Sequence, residues 1–283
     1  MDLIINILHD IVKTMHYDPI KDRIGGIVKK SPFLRKIFYK GLGLMFLREW
    51  YVKRKIMELY GANHPKDILD AGCGFGQYSY FIAKKFSDSK ILSVDVKKDY
   101  LADCEYFFEK CSLKNCDFEF ADLTEIEYEN RFDFALSVDV MEHIEEDLGV
   151  FKRFYKALKS GGRLLINTPS NMGGSDAASE DDESFIGEHV RVGYSKEDIC
   201  SKLKEAGIEI DSFQYTYGSW GNKYWKLGIK YPMLMLNKSQ LFFVILPFYY
   251  SIVIWWVWLF MWLDVNDKGK QAGTGVLVVG KKK

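Results

Sequence analysis

A glycine loop between a short apolar segment and a predicted helix constrains the fold more than any other feature of this chain. The loop reads Asp70-Ala71-Gly72-Cys73-Gly74-Phe75-Gly76; it follows Ile68-Leu69 and precedes Tyr78–Ala83. Glycine lets a backbone approach a ligand closely and adopt dihedrals that a Cβ forbids, and a helix N-terminus offers free N–H groups. The third glycine comes one residue earlier than in the G-x-G-x-x-G loops of dinucleotide sites. The loop therefore predicts a site for a nucleotide-like ligand of another kind.

Further apolar segments with the composition of buried strands follow in order: residues 90–95, 118–122, 132–138 and, after a helix end and a Gly-Gly turn, 163–167. The second and third predicted strands end in Asp95 and Asp122, and the fourth ends in Val138. An acid at the carboxyl end of the second strand can bind both hydroxyls of a ribose. An ordinary α/β domain with acids at its strand ends by chance is the alternative, and the ordered spacing disfavours it.

From about Lys66 to Thr168 the pattern resembles that of class I S-adenosylmethionine-dependent methyltransferases. The resemblance implies an α/β, Rossmann-like, seven-stranded and mostly parallel sheet with helices on both faces, its last strand at Thr274–Gly280 beside the fifth. It also implies that Asp70 helps to hold the ammonium group of the cofactor and that Asp122 caps the adenine amino group. The cofactor-binding set implied by the resemblance is Asp70, Gly72, Gly74, Gly76, Asp95, Asp122 and Val138.

The sequence Asp139-x-x-Glu142-His143 follows the fourth strand, and His189 lies in a long connection rich in Gly, Ser and acids. This arrangement resembles the polyprenyl-quinone O-methyltransferases, in which two acids and a histidine can hold a divalent cation. The implied catalytic residues are Asp139, Glu142 and His143, and the implied metal ligands are Asp139, Glu142 and His189, for Mg²⁺ or Zn²⁺. The first acid is Asp where the quinone enzymes often have Glu. His143 is either the base for an acceptor hydroxyl or a residue of local structural importance.

An uncharged segment of 23 residues, Leu241–Leu263, contains four tryptophans and is long enough to cross a bilayer of ~30 Å. A single crossing would separate the last strand from the sheet, and Pro247 is expected to break the run. We therefore expect a bent or re-entrant element in one leaflet, with Trp255, Trp258 and Trp262 on one helix face. A buried helical hairpin that covers the core or closes a dimer is the alternative.

Charge and cysteine content narrow the functional classes. The formal net charge is zero, which gives no general footprint for nucleic acid. Residues 1–60 nevertheless carry twelve Lys or Arg against six acids, a local charge of +6, in an apolar pattern of helical spacing. This region could assist binding to an anionic membrane. The five cysteines form no C-x-x-C pair, and the N-terminus lacks the shape of a signal peptide, so we expect reduced thiols and a cytosolic location.

These features predict a basic amphipathic helical region at 1–60, a methyltransferase domain at 61–217 and 270–283, and an apolar membrane-associating insert at 218–269. The expected function is methylation of a lipid or lipid-linked acceptor on the cytoplasmic side of a membrane, by a peripheral or monotopic protein. The alternative is a methyltransferase for a soluble metabolite or sugar whose insert forms an oligomer contact. A non-catalytic cofactor-binding partner protein is disfavoured by the intact acids at positions 70, 95 and 122.

Overall fold

The computed structural model describes residues 31–173, 190–239 and 242–283. The helices are α1 (Pro32–Met45), α2 (Leu47–Tyr60), α3 (Gln77–Lys85), α4 (Lys98–Lys110), α5 (Asp147–Ala157), α6 (Lys196–Glu205), α7 (Ser219–Trp225), α8 (Tyr231–Lys238) and α9 (Phe242–Asn266). A 3₁₀ turn covers Met141–His143, and a π-helix, Lys226–Lys230, joins α7 to α8. The strands are β1 (Asp67–Ala71), β2 (Lys90–Asp95), β3 (Cys116–Phe120), β4 (Phe132–Val138), β5 (Leu158–Pro169), β6 (Glu209–Thr216) and β7 (Gly275–Lys281).

The seven strands form one sheet in the order β3-β2-β1-β4-β5-β7-β6. The first five strands in this order pair in parallel, whereas β7 runs antiparallel to both of its neighbours, β5 and β6. The strand order reverses between β1 and β4, and ligands of open α/β sheets bind at the carboxyl ends of strands at such a reversal. The predicted seven-stranded, mostly parallel Rossmann-like fold, with the last strand beside the fifth, is confirmed.

The central strands are buried because they read as nearly continuous apolar runs, as expected for a sheet covered on both faces. Ala135 and Leu136 of β4 and Val278 of β7 are fully shielded from solvent. Helix α5 places its buried residues three or four positions apart, among them Phe151 and Phe154, and these pack into the same core. The carboxyl ends of the central strands, where the candidate site lies, are therefore supported by a densely packed apolar core.

Two predicted strand boundaries were wrong. Strand β3 ends at Phe120, so Asp122 lies two residues beyond it and not at its last position. The Gly-Gly pair does not precede β5 but lies within it, because Leu158 already pairs with Phe132 and a register shift follows. Gly161 accommodates this irregularity with a φ of +78°.

The described residues fall into two compact units. One contains residues 51–173, 190–216 and 270–283, which include the whole sheet. The other contains residues 31–50, 217–239 and 242–269, so α1 and the insert belong to the same unit. The three functional regions proposed from the sequence stay a prediction.

The insert is a helical hairpin in which α7, the π-helix and α8 lead out and α9 returns. A Cβ on Gly221 would lie 3.1 Å from the Asp264 carboxylate, and one on Gly228 would lie 3.3 Å from Val257. These two contacts have an antiparallel register, and both need the small glycine for close approach of the helices. The buried Asp264 carboxylate also accepts the N–H groups of Gly218 and Gly221 at 3.0 and 2.9 Å, which caps the start of α7.

The hairpin also secures the end of α1. The last carbonyls of a helix lack intrahelical partners. The Trp258 indole N–H donates to the Leu44 carbonyl at 3.0 Å, and the Tyr224 hydroxyl donates to the Met45 carbonyl at 2.6 Å. Side chains of the insert therefore complete the C-terminus of a helix that lies about 180 residues earlier in the chain.

One expectation for the apolar segment was wrong. Pro247 does not break it, since α9 is continuous over Phe242–Asn266 with Pro247 in its second turn, where one backbone hydrogen bond is lost. The indole of Trp258 contacts that of Trp255, with 5.4 Å between ring centroids, and its N–H is directed to the Leu44 carbonyl. Among the described residues one helix, Val244–Asn266, is long and apolar enough to span a membrane, by length and composition only.

Candidate active site

The glycine loop after β1 has the left-handed conformations that its sequence predicts. Gly72, Gly74 and Gly76 have φ values of +81°, +51° and +69°. A Cβ on Gly72 would lie 2.3 Å from Val140, so this glycine allows the loop to pack against the segment after β4. A Cβ on Gly74 would have no atom of the protein within 4 Å. Gly74 therefore borders open space, and a side chain there would intrude into the candidate ligand cradle without contact with other protein atoms, although the left-handed φ would strain it.

Asp95 lies at the carboxyl end of β2 and is fixed against the loop. Its Oδ2 accepts the Gly74 N–H at 2.8 Å, and its Oδ1 accepts the Lys97 N–H at 2.9 Å. A carboxylate has about four lone-pair positions, so each oxygen retains capacity for a further donor. The position and the remaining capacity of this carboxylate suit a pair of ligand hydroxyls.

Asp70, the last acid before the glycines, is buried at the end of a short polar chain. Its Oδ2 accepts the Ser79 hydroxyl at 2.5 Å, and the Ser93 hydroxyl donates to Ser79 at 2.9 Å. Burial raises the pKa of Asp70 from its usual 3.8 to about 6, with a smaller contribution from the negative charge of Asp95. A buried carboxylate of this kind is stabilised by a neighbouring cation such as a ligand ammonium.

Asp122 lies in the loop after β3 and is held as an ionised acceptor. Its Oδ1 accepts both the N–H and the hydroxyl of Thr124, at 2.8 and 2.7 Å. These hydrogen bonds hold the pKa of Asp122 below its usual value. The other carboxylate oxygen has the chemistry required to accept a hydrogen bond from an exocyclic amine.

The chain turns sharply where β4 ends. Val138 is half-buried and pairs with Asn167 of β5. Asp139 follows with a φ of +52°, and its N–H donates to the Asn167 carbonyl at 2.8 Å. A non-glycine residue in this conformation costs about 1–3 kcal/mol and is found most often at functional sites. The strained turn therefore lies at the first predicted catalytic residue, Asp139, and directs the chain away from the sheet before Glu142 and His143.

The 3₁₀ turn Met141–His143 places Glu142 and His143 in different environments. Glu142 is buried, and its Oε2 accepts the Thr168 hydroxyl at 3.0 Å. His143 is exposed. Glu142 is therefore oriented by the protein itself, whereas His143 lies at the surface of the turn.

His189, the third predicted metal ligand, lies outside the described residues. In residues 31–173, 190–239 and 242–283, no three His, Cys, Asp or Glu side chains are grouped so that they could hold a metal ion. The metal set Asp139, Glu142 and His189 stays a prediction.

A cluster centred on Asp147 was missed by the sequence analysis. Asp147, Arg191, Tyr194 and Lys202 meet beside the 3₁₀ turn. Asp147 and Arg191 are 44 residues apart, and neither belongs to a recognisable motif. Next to this cluster the Ser195 hydroxyl accepts the Asp198 N–H at 3.0 Å and caps the start of α6.

A comparison with known sequence families supports the interpretation of this fold and of the candidate ligand cradle at the β1–β4 strand reversal. A family profile described as a methyltransferase domain matches residues 63–215. The chain belongs to this methyltransferase family. S-adenosylmethionine, the cofactor expected for the family, fits an open cradle at Gly74, a carboxylate with spare acceptor capacity at Asp95 and a buried acid at Asp70.

Relatives in plants are named for one acceptor. The chain is 28% identical over 193 residues to phosphoethanolamine N-methyltransferase 1 of Triticum aestivum, covering 62% of this chain and 37% of the relative. It is 31% identical over 144 residues to phosphoethanolamine N-methyltransferase 3 of Arabidopsis thaliana, covering 49% of this chain and 28% of the relative. The chain thus spans about a third of the length of these curated relatives. They are not named as quinone methyltransferases, so they lend no support to that branch.

Solved structures show the same fold at low identity. A putative sarcosine dimethylglycine methyltransferase from Galdieria sulphuraria is similar with a TM-score of 0.58 and 20% identity, covering 83% of this chain and 84% of the other. Phosphoethanolamine N-methyltransferase 2 of Haemonchus contortus, in complex with S-adenosyl-L-methionine, has a TM-score of 0.58 and 22% identity, covering 82% of this chain and 52% of the other.

Proposed function

We propose that the protein is an S-adenosylmethionine-dependent methyltransferase that acts on a lipid or lipid-linked acceptor at a membrane surface. Its location would be the cytoplasmic side, as a peripheral or monotopic protein. The observation that carries the lipid part of this proposal is the exposed apolar face of α9.

That face is large and consists of bulky side chains. Phe248 and Ile252 are each 70% exposed, and Trp255 is 67% exposed. The same face includes Val244, Ile245, Trp256, Leu259 and Trp262. Val257 and Met261 on the opposite face are fully buried, so the orientation of the helix is fixed. Soluble monomers rarely expose a contiguous apolar patch of this kind unless it binds something.

The energetics support attachment without a full crossing. Burying four of these side chains in a bilayer interface would contribute about 6–12 kcal/mol, at about 1.5–3 kcal/mol for each. Such a helix with tryptophans near the headgroups is typical of in-plane binding. Membrane association through residues 218–269 therefore does not require a span.

The connections of the insert also favour one side of a membrane. Thr216 of β6 pairs with Gly275 of β7, so the insert leaves and re-enters the sheet at neighbouring positions. From residue 218 to residue 263 the sequence has no acid and four lysines: Lys223, Lys226, Lys230 and Lys238. Each lysine near an anionic lipid surface can add about 1 kcal/mol. Because this stretch carries positive charge only, it favours an anionic phospholipid surface as the partner.

In the proposed reaction the cofactor supplies a methyl group that its sulfonium already activates. Asp70 would hold the ammonium, Asp95 the ribose hydroxyls and Asp122 the adenine amino group, with Val138 beside the cofactor. The remaining task of the protein is to align the acceptor and remove its proton. His143 is accessible for this role, and Glu142 is fixed next to it, while Asp139 shapes the turn. If a divalent cation takes part, Asp139, Glu142 and His189 would be its ligands.

A soluble acceptor is the second candidate, and the names of the plant relatives favour it. Phosphoethanolamine is small, charged and freely soluble, and an enzyme for such a molecule needs no membrane. In that case the exposed face of α9 would form a contact between copies of the chain. The acceptor and the oligomeric state therefore distinguish the two candidates together.

The test offers both acceptors to the purified full chain with radiolabelled S-adenosylmethionine. Vesicles of total membrane lipid are one acceptor source, and phosphoethanolamine is the other. The variant Ile252→Asp introduces a charge on the exposed face, and Asn266→Asp introduces the same charge at the exposed end of the same helix as a control. Losing one buried apolar side chain should lower vesicle binding by about 10-fold or more.

The lipid proposal expects label in the organic phase, a loss of it in Ile252→Asp and no loss in Asn266→Asp. Label confined to phosphoethanolamine, with Ile252→Asp converting an oligomer to a monomer, would instead establish the soluble candidate.

A further inference from the structure

The side chain of Asp147, the first residue of α5, is buried and accepts hydrogen bonds from three other side chains. Its Oδ2 accepts the Tyr194 hydroxyl at 2.7 Å and the Lys202 ammonium at 2.8 Å, and it also accepts a hydrogen bond from Arg191 Nη1. Three donors, two of them cationic, therefore share one carboxylate oxygen. Helix α5 adds the favourable field of its N-terminus to the same carboxylate.

The partners of Asp147 contact the backbone of the turn that carries the predicted catalytic residues. Arg191 Nη2 donates to the Ile144 carbonyl at 2.5 Å and to the Glu145 carbonyl at 3.0 Å. The Tyr194 hydroxyl lies 3.1 Å from the Met141 carbonyl. The turn is thus held at both of its ends by side chains that Asp147 itself holds in place.

Two backbone hydrogen bonds also join residues 190–194 to the 3₁₀ turn and to β5. The Val190 N–H donates to the Glu142 carbonyl at 3.1 Å, and the Tyr194 N–H donates to the Pro169 carbonyl at 3.0 Å. Residues 190–194 therefore lie along the 3₁₀ turn and join it to the end of β5. We define residues 141–145 as the catalytic turn and residues 190–194 as the supporting segment.

We propose that Asp147 is a positioning residue for methyl transfer, which fixes the catalytic turn by holding Arg191 and Tyr194 against its backbone. The inference rests on the proposed function for its kinetic consequence, but the structural consequence stands apart from it. Asp147 touches neither acceptor nor cofactor in this account, and it acts through its partners.

The electrostatics explain why this carboxylate cannot be replaced by a neutral group. Burial opposes ionisation, but the hydrogen bonds from Lys202 and Tyr194 and the charge of Arg191 hold the pKa of Asp147 below its usual value. Without the carboxylate, two cations and a buried hydroxyl would face each other, and removing one partner of a buried ion pair is strongly unfavourable. Arg191 and Tyr194 would then move, and the catalytic turn would lose its support.

The test compares Asp147→Asn with Asp198→Asn in the full chain. Asp198 makes a partly exposed ion pair with the same Lys202 at 3.3 Å, so it is a control for the loss of one carboxylate near that lysine. Hydrogen exchange is measured over the catalytic turn, the supporting segment and the glycine loop at 70–76, and S-adenosylmethionine binding is measured by calorimetry. Asp147→Asn should raise exchange about 10-fold in the first two regions only, with S-adenosylmethionine affinity unchanged.

Kinetics supply the second measurement, with phosphoethanolamine or vesicle lipid as the acceptor, whichever is methylated. A misplaced turn should lower kcat/KM for the acceptor by about 100-fold while leaving the KM for S-adenosylmethionine unchanged, and Asp147→Glu should restore part of it. Unchanged exchange in the catalytic turn would overturn the proposal. Faster exchange throughout the protein would also overturn it, since that result shows a general loss of stability.

If neither acceptor is methylated, the proposed function fails while the exchange data still decide the role of Asp147.

Discussion

Replacing Gly74 by alanine should separate the folding role of the glycine loop from its binding role. Gly74 has a φ of +51°, and a Cβ there would have no protein atom within 4 Å. The only cost to folding is therefore the left-handed conformation, about 1–2 kcal/mol for an L-residue. For a chain of this size that corresponds to a fall in Tm of about 2–8 °C.

The chain contains a matched control for this substitution. Gly161 has a φ of +78°, also with no atom within 4 Å of a Cβ, but it lies at the start of β5 away from the loop. Gly161→Ala should lower Tm by a similar amount. In contrast to Gly74→Ala, it should leave S-adenosylmethionine binding intact, because its Cβ does not enter the cradle.

Differential scanning calorimetry and isothermal titration calorimetry on both variants test the reasoning. Gly74→Ala should bind S-adenosylmethionine at least about 10-fold more weakly than Gly161→Ala, a difference of about 1.4 kcal/mol. Equal affinities for the two variants would show that the space beside Gly74 is not the cofactor cradle. A much larger loss of stability in Gly74→Ala alone would show that the open space is filled in solution.

Four further results are expected. Asp95→Ala should weaken S-adenosylmethionine binding in calorimetry, because the ribose hydroxyls would lose their acceptor and the Gly74 N–H its partner; unchanged affinity would contradict this. Since burial raises the pKa of folded Asp70 from 3.8 to about 6, the ligand-free folded chain keeps a proton that the unfolded chain loses. The free energy of unfolding should therefore fall as the pH rises from 3.8 to about 6. Urea unfolding of Asp70→Asn should show no such fall. A bound cation at the predicted metal set requires that a chelator abolishes turnover and that Mg²⁺ or Zn²⁺ restores it; full activity in chelator would remove the metal from the mechanism. One-leaflet attachment requires that tags at Met1 and Lys283 are accessible from the same side of sealed vesicles, and tags on opposite sides would indicate a crossing.

The glycine loop and the acid at the end of the second strand could be predicted from the sequence because these features are local. A glycine loop after a strand and an acid at the end of the next strand depend on neighbouring residues, and strands β2 and β4 were predicted at their observed bounds. The acceptor half could not be predicted to the same depth. Glu142 and His143 are adjacent in sequence, and only the tertiary packing of the 3₁₀ turn buries one and exposes the other.

Long-range partners account for the other differences. Pro247 was expected to break the apolar run, but α9 continues past it because contacts along the hairpin outweigh one missing hydrogen bond. Trp258 has the helical spacing of an outward residue, yet its indole satisfies a carbonyl 214 residues away. The Asp147 cluster likewise joins residues from three separate segments. Periodicity contains no information about such partners.

The pairing of Thr216 with Gly275 has a consequence for how such enzymes diversify. Antiparallel neighbouring strands can be joined by a turn of about two residues. The sheet therefore does not need the long insert between β6 and β7 in order to pair these strands. The length and surface of this insert can change while the register of every strand is preserved. A catalytic core of this kind could be redirected from one acceptor environment to another by exchanging a single connection. A chimera with a short turn between β6 and β7 is the direct experiment, because it tests whether methyl transfer by the core is independent of the membrane association proposed for the insert.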